Sequence, residues 1–254
     1  MDFRNITYEK QGYIAILTLN RPPANSINLA TLEEIDRVLD DVAGNNDIRV
    51  LVITGAGEKG FSAGFDVSDA ANSDKAGPMG QALWTRISRF QKPVIAAING
   101  YAFGGGCELS MACTFRVMLS GAKIGLTELN MGIIPGWGGT QRMPAILGKS
   151  KALDLILFSK RITAEEALDI GLVDAVSRPG ELMKDVMEMA GFLAGRPPLA
   201  VQAVMRAVTV GLEKGLDEGS KAEQDGIALT SRSRDATEGF MAFLEKREPD
   251  FKGE

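Results

Sequence analysis

The sequence predicts an α/β fold with a helical final part, and three observations predict it. Short β-branched apolar runs recur through the first two thirds of the 254 residues, amphipathic helical patterns alternate with them, and from Glu181 onward nearly every segment has helical spacing.

The first run, Ile14 to Leu19, is bounded by Gly12 and by Pro22-Pro23 and reads as a strand leading into a loop. Leu32, Ile35, Val38, Leu39 and Val42 follow at helical spacing, with Thr31 as the expected N-cap and Gly44 closing the pattern. Val50 to Thr54 and Val94 to Ile98 are continuously apolar and stop at Gly55 and Asn99-Gly100, the style of strands buried on both faces. Residues 68 to 80, rich in Ser, Asp, Ala, Gly and Asn, carry no period and predict a mobile loop. A helix from Ala164 to Ile170 opens with the capping-box pattern Thr163-x-x-Glu166 and leads to a strand from Leu172 to Val176. The helical tail should break at Gly195 to Pro198 and at Gly211 to Gly219, then end in a helix holding Phe240, Phe243 and Leu244. The expected organisation is a core over residues 1–194 and a C-terminal helical region over 195–254.

Composition narrows the chemistry. With 45% hydrophobic residues the chain can bury a full core, and with two cysteines, Cys107 and Cys113, it has no disulfide framework. There is no histidine, so Cys/His zinc spacing is excluded and no metal site is expected. A net charge of -5 disfavours nucleic acid and anionic membrane as partners. The N-terminus lacks a basic segment followed by an apolar run, and no stretch of about 18 apolar residues occurs, so no membrane span is expected and the cytoplasm is the expected location. Without histidine, proton transfer falls to carboxylates, Lys, Tyr, Cys or water.

Two motifs fail on this ground or on spacing. Gly60-Phe61-Ser62-Ala63-Gly64 matches the nucleophile elbow of serine hydrolases, but the histidine base that would activate Ser62 is missing. Gly148-Lys149-Ser150 resembles the end of a phosphate-binding loop, yet Met143 stands where its first glycine belongs. One segment survives: Ile98 to Leu109 joins a buried strand to an apolar helix through Gly104-Gly105-Gly106, with Glu108 just inside the helix. Exposed amides at such a junction suit an oxyanion hole, while the same glycines would also serve close packing.

At these residues the chain resembles the crotonase, or enoyl-CoA hydratase/isomerase, superfamily. Four blocks agree in order: Asn20 to Asn25; Phe61-Ser62-Ala63-Gly64-Phe65-Asp66; the glycine segment; and Glu128 to Arg142, which contains Ile134-Pro135-Gly136-Trp137-Gly138-Gly139. The resemblance implies a spiral of ββα units followed by a helical region that trimerises, commonly with two trimers pairing. It implies that the Phe65 and Gly105 amides grip a thioester carbonyl oxygen, and that Glu108 and Glu128 form the acid–base pair of a hydratase. Within that pair Glu128 would activate water, Glu108 would orient it and mediate α-carbon protonation, and the Gly136 amide would contact the water. Ala24, Ser26, Ala63 and Asp66 fall where the family surrounds coenzyme A, which is part of the substrate and not a separate cofactor. Lys246 and Arg247 on the closing helix are further candidates for its phosphates.

The chain departs from many hydratases at Phe65, where alanine is usual, and at Thr127, where proline is usual. Both changes bear on the acyl pocket, whose wall is expected from residues 67–90 with Trp84, while Trp137 is either a pocket wall or core. The competing activities are a Δ3-Δ2-enoyl-CoA isomerase, which can work with one glutamate, and a non-catalytic binder of coenzyme A esters or RNA.

Overall fold

The computed structural model describes residues 2–254 and is built on two sheets. Strands β1 (Ile6–Gln11) and β2 (Ile14–Leu19) form an antiparallel hairpin, with Gly12 at positive φ in its turn. β3 (Val50–Gly55), β5 (Val94–Ile98), β7 (Phe115–Leu119) and β10 (Ala175–Ser177) extend it in parallel, giving the order β1-β2-β3-β5-β7-β10. A smaller sheet has the order β4-β6-β8-β9, from β4 (Gly60–Ser62), β6 (Tyr101–Phe103), β8 (Lys123–Gly125) and β9 (Ile162–Thr163). The chain therefore alternates: β3 to β4, β5 to β6 and β7 to β8 each step from the large sheet to the small one. A helix follows β4 and β6, which makes the repeating ββα unit.

The helices between are α1 (Leu29–Gly44), α2 (Ser73–Ser88), α3 (Gly105–Ala112), α4 (Gly139–Leu147), α5 (Lys149–Leu157), α6 (Ala164–Asp169) and α7 (Leu182–Ala194). Strand alternation divides the core. Leu51 and Ile53 face the main cluster with α1 and α2, whereas Val50, Val52, Ile95 and Ala97 face the other side, which α7 covers with Leu182, Val186, Ala190 and Ala194. Residues 195–254 hold α8 (Pro198–Lys214), α9 (Leu216–Thr230) and α10 (Arg234–Glu245). Among the described residues no helix is long and apolar enough to cross a membrane.

Several expectations are corrected. The N-cap of α1 is Asn28, not Thr31: Asn28 Oδ1 accepts from Thr31 N at 2.9 Å and from the Thr31 hydroxyl at 2.7 Å. Three residues before Thr31 already have extended or helical geometry that the apolar period alone does not mark. Residues 68–80 are not a loop; a 3-10 helix, Val67–Asn72, runs into α2. Gly77, Pro78 and Gly80 disfavour a helix locally, but burying Ala76, Leu83, Trp84 and Ile87 on one face outweighs propensity. The last parallel strand begins at Ala175, because Leu172 and Val173 are buried in the turn after α6. The expected break from Gly211 to Gly219 is the single residue Gly215 at φ +92°. Gly211 and Gly219 instead let α8 and α9 touch, since a Cβ on Gly219 would lie 2.7 Å from Gly211 Cα.

Asn28→Ala should remove the cap and lower stability by about 1 kcal/mol, seen as a lower urea midpoint with an unchanged m-value.

Candidate active site

Four segments meet where the two sheets join the helices. Asn25 organises the first. It is buried, adopts φ +50°, and its side chain accepts from Arg21 N while donating to Ala56 O and Gly60 O. The loop it shapes is tied to the second segment in register, through Ala63 N to Ala24 O at 3.0 Å, Ile27 N to Gly64 O at 2.8 Å and Asp66 N to Ile27 O at 2.9 Å. Arg21 closes the same corner by pairing with Asp66 and donating to Ser26 O. Ala24, Ser26, Ala63 and Asp66 are thus brought together at one edge.

Ser62 is spent on structure. Its buried hydroxyl donates to Asn25 O at 2.7 Å and accepts from Gly64 N at 3.1 Å. Gly64 in turn lies against α3: with φ +87°, a Cβ there would come within 2.6 Å of Gly105 N and 2.8 Å of Phe103 O. This approach sets the Phe65 and Gly105 amides side by side. Among the described residues neither donates to a protein acceptor, because the bridge to Ile27 uses Gly64 O and Asp66 N, and Gly105 opens α3. Two unpaired N–H groups at a helix N-terminus form an anion-stabilising pocket.

Both glutamates border this pocket. Glu108 lies in the first turn of α3, every residue of which is buried. Its Oε1 accepts from Trp137 N at 2.8 Å and Gly139 N at 2.7 Å, both in the turn before α4. Burial raises the Glu108 carboxyl to about 7; the Gly139 N–H opposes the rise, the charge of Glu128 adds to it, and the Trp137 N–H opposes it. Glu128 opens a 3-10 helix, Glu128–Met131, that follows β8, and Gly132 at φ +76° ends it. Its Oε1 reaches to 3.3 Å from where a Cβ on Gly104 would stand, so Gly104 (φ +52°) gives it room beside the triplet. Burial raises this carboxyl also. Its Oε2 is buried with no hydrogen-bond partner among the described residues. The site therefore holds one carboxylate clamped by amides and another with a free oxygen.

The remaining candidates sort plainly. Gly136 is exposed and immediately precedes the Trp137 amide that holds Glu108. Trp84 is fully buried, and its indole N–H donates to Gly105 O at 3.2 Å, so it backs the site and does not itself form the expected acyl wall. Cys107 is fully buried, and burial pushes its thiol up, which suits packing and not nucleophilic attack. Arg247 is engaged with Glu238 and Glu245. Sequence reasoning missed the amides of Trp137 and Gly139 as the clamp on Glu108; Gly138 at φ +103° and the paired glycines are the signal of a backbone-donating turn. It also missed Arg142, which donates to Trp137 O at 2.7 Å and to the Ser88 hydroxyl at 2.8 Å, fixing that turn from outside.

A buried carboxylate pair beside unpaired amides is an arrangement able to move protons next to a group that gains negative charge. Comparison with known proteins makes this specific. The family model for enoyl-CoA hydratase/isomerase matches residues 9–254. The chain is 38% identical to a short-chain-enoyl-CoA hydratase of Clostridium acetobutylicum, with 97% of each chain covered, and 40% identical to a crotonyl-CoA hydratase of Syntrophomonas wolfei, with 99% of each covered. The crystal structure of an enoyl-CoA hydratase from Bacillus anthracis superposes with a TM-score of 0.96 at 39% identity, covering 99% of this chain and 100% of that one. The chain belongs to the enoyl-CoA hydratase/isomerase family, and its fold is the crotonase fold.

A carboxyl raised from 4.5 to about 7 is stabilising to leave protonated and costly to ionise in the folded state. The penalty is absent below the unfolded value, grows as pH rises from there, and is complete above the folded value. From pH 5 to 8 the parent should therefore lose up to about 3 kcal/mol relative to Glu108→Gln, measured by urea unfolding at each pH.

Proposed function

We propose that this chain is an enoyl-CoA hydratase, a hydro-lyase that reversibly adds water in syn fashion to a 2-enoyl-CoA, giving a 3-hydroxyacyl-CoA. The observation that carries the reading is the arrangement of Glu108 and Glu128 beside the unpaired amides of Phe65 and Gly105. Full-length similarity to relatives named as hydratases supports it.

In this reading the thioester oxygen sits on the Phe65 and Gly105 N–H groups. Charge that develops there in the enolate meets donors already in place, each worth about 3 kcal/mol. Glu128, through its free Oε2, takes a proton from water as the oxygen adds to the β-carbon. Glu108 orients that water and mediates protonation of the α-carbon. A carboxyl held near 7 is suited to giving and receiving a proton at neutral pH. The Gly136 amide contacts the water. Ala24, Ser26, Ala63 and Asp66 border the coenzyme A moiety, which arrives with the substrate; no metal or separate cofactor takes part. Dehydration uses the same groups in reverse. An isomerase could manage with one carboxylate and has no use for an attacking water, so the pair of buried glutamates favours hydration. The setting proposed is acyl-CoA degradation in the cytoplasm.

The assembly proposed is a homotrimer or a dimer of trimers. Val204, Val208, Leu212, Leu216, Phe240 and Phe243 on the C-terminal helices are largely exposed in the single chain, a density of large apolar groups that a soluble surface rarely carries without a partner. Light scattering should give three or six times the chain mass of 27.2 kDa, and a monomer would reject the assembly.

The activity is read by loss of enoyl-thioester absorbance on adding crotonyl-CoA. Glu128→Gln should lower kcat by roughly 10²- to 10⁴-fold while crotonyl-CoA binding changes little. Absence of turnover by the parent across several enoyl-CoAs would reject the hydratase reading, and full turnover by the variant would reject Glu128 as the base.

A further inference from the structure

The geometry points to Trp137 as the residue that sets acyl-chain length: its indole closes the acyl end of the site and restricts the chain to short 2-enoyl-CoA substrates. The inference rests on the hydratase reading above, because it takes the Phe65 and Gly105 amides as the seat of the thioester oxygen.

Trp137 is held by its backbone on both sides. Its N–H donates to Glu108 Oε1 at 2.8 Å and its carbonyl accepts from Arg142 Nη1 at 2.7 Å, so the origin of the side chain is fixed relative to the carboxylate. The ring is then fitted between two glycines. A Cβ on Gly105 would lie 2.4 Å from Trp137 Cζ3, and a Cβ on Gly80 of α2 would lie 2.3 Å from Cε2, which means the six-membered edge rests on the oxyanion residue and the ring junction rests on the helix. Edge-to-face partners hold the ring: Phe65 at 6.0 Å and 86°, and Trp84, behind it, at 5.6 Å and 84° between centroids. With 5% of its surface exposed, the indole has no open side to move toward.

The consequence is steric. The residues whose amides would hold the carbonyl, Phe65 and Gly105, are the same residues whose side chain and Cα touch the indole. An acyl chain leaving that carbonyl passes the two carboxylates and meets a ring that is backed by Trp84 and by the α2 backbone. Phe65, edge-to-face on the indole, thickens the same wall. A methylene without room costs roughly tenfold or more in kcat/KM, so a few extra carbons suffice for strong discrimination.

The test compares straight-chain four-, six-, eight- and ten-carbon 2-enoyl-CoAs as substrates of the parent, Trp137→Leu and Trp137→Ala, with kcat and KM measured separately. The parent should prefer the four-carbon substrate, with kcat/KM at least tenfold lower at eight carbons. Either variant should raise the eight-to-four-carbon ratio of kcat/KM at least tenfold, chiefly by lowering KM for the longer chain. A ratio unmoved in a variant with parental far-UV circular dichroism overturns the proposal. Direct binding of saturated butyryl-CoA and octanoyl-CoA to the parent, measured by titration calorimetry, tests the wall without any variant: octanoyl-CoA binding as tightly as butyryl-CoA overturns it even if both variants fail to fold. If the parent turns over no enoyl-CoA at all, the hydratase reading fails, while the butyryl/octanoyl comparison still decides whether the indole is a wall.

Discussion

The arrangement depends on one interaction: two backbone N–H groups, from Trp137 and Gly139, converging on a single oxygen of Glu108. A carboxylate enclosed in an apolar helix is costly to ionise, and without donors it would stay neutral and inert. The clamp makes it a titratable group near neutrality and ties α3 to the turn before α4. It also fixes where the Trp137 side chain starts. The proposed proton transfer, the packing of α3 and the placement of the Trp137 ring therefore share one hydrogen-bonded junction. Arg142, which holds the other side of that turn, lies near Glu108 and moderates its charge from behind.

Glycine is the second constraint, and it acts through absence of bulk at different points. Gly64 lets one loop press against the start of α3, Gly105 and Gly80 receive an indole, and Gly104 makes room for Glu128. Each of these is a contact that any side chain would prevent. The ββα repeat brings them together: each step from large sheet to small sheet delivers a loop to the same end of the molecule.

Much of this was legible in the sequence. The β-branched runs at Val50 and Val94 announced buried strands because burial on both faces removes the need for alternation. Missing histidine pointed acid–base work toward carboxylates, and the order of the glycine segments carried the family and the fold. What escaped notice has a physical cause in each case. Residues 68–80 carry Gly77, Pro78 and Gly80 and no apolar period, and tertiary burial of Ala76, Leu83, Trp84 and Ile87 makes the segment helical against those breakers. Asn28 caps α1 because its side chain reaches Thr31, which hydrophobic spacing cannot reveal. The clamp on Glu108 is made by main-chain atoms, so no side-chain identity at Trp137 or Gly139 encodes it directly.

The T-shaped contact between Trp84 and Trp137 has a practical consequence, since these are the chain's two tryptophans. One donates to Gly105 O and the other lies on Gly105, so every indole in the molecule borders the glycine triplet at the start of α3. Intrinsic emission and the near-ultraviolet dichroism of the coupled rings are therefore local signals, native optical probes of this one corner. They distinguish loss of the site's packing from loss of the sheets, which far-ultraviolet dichroism follows separately.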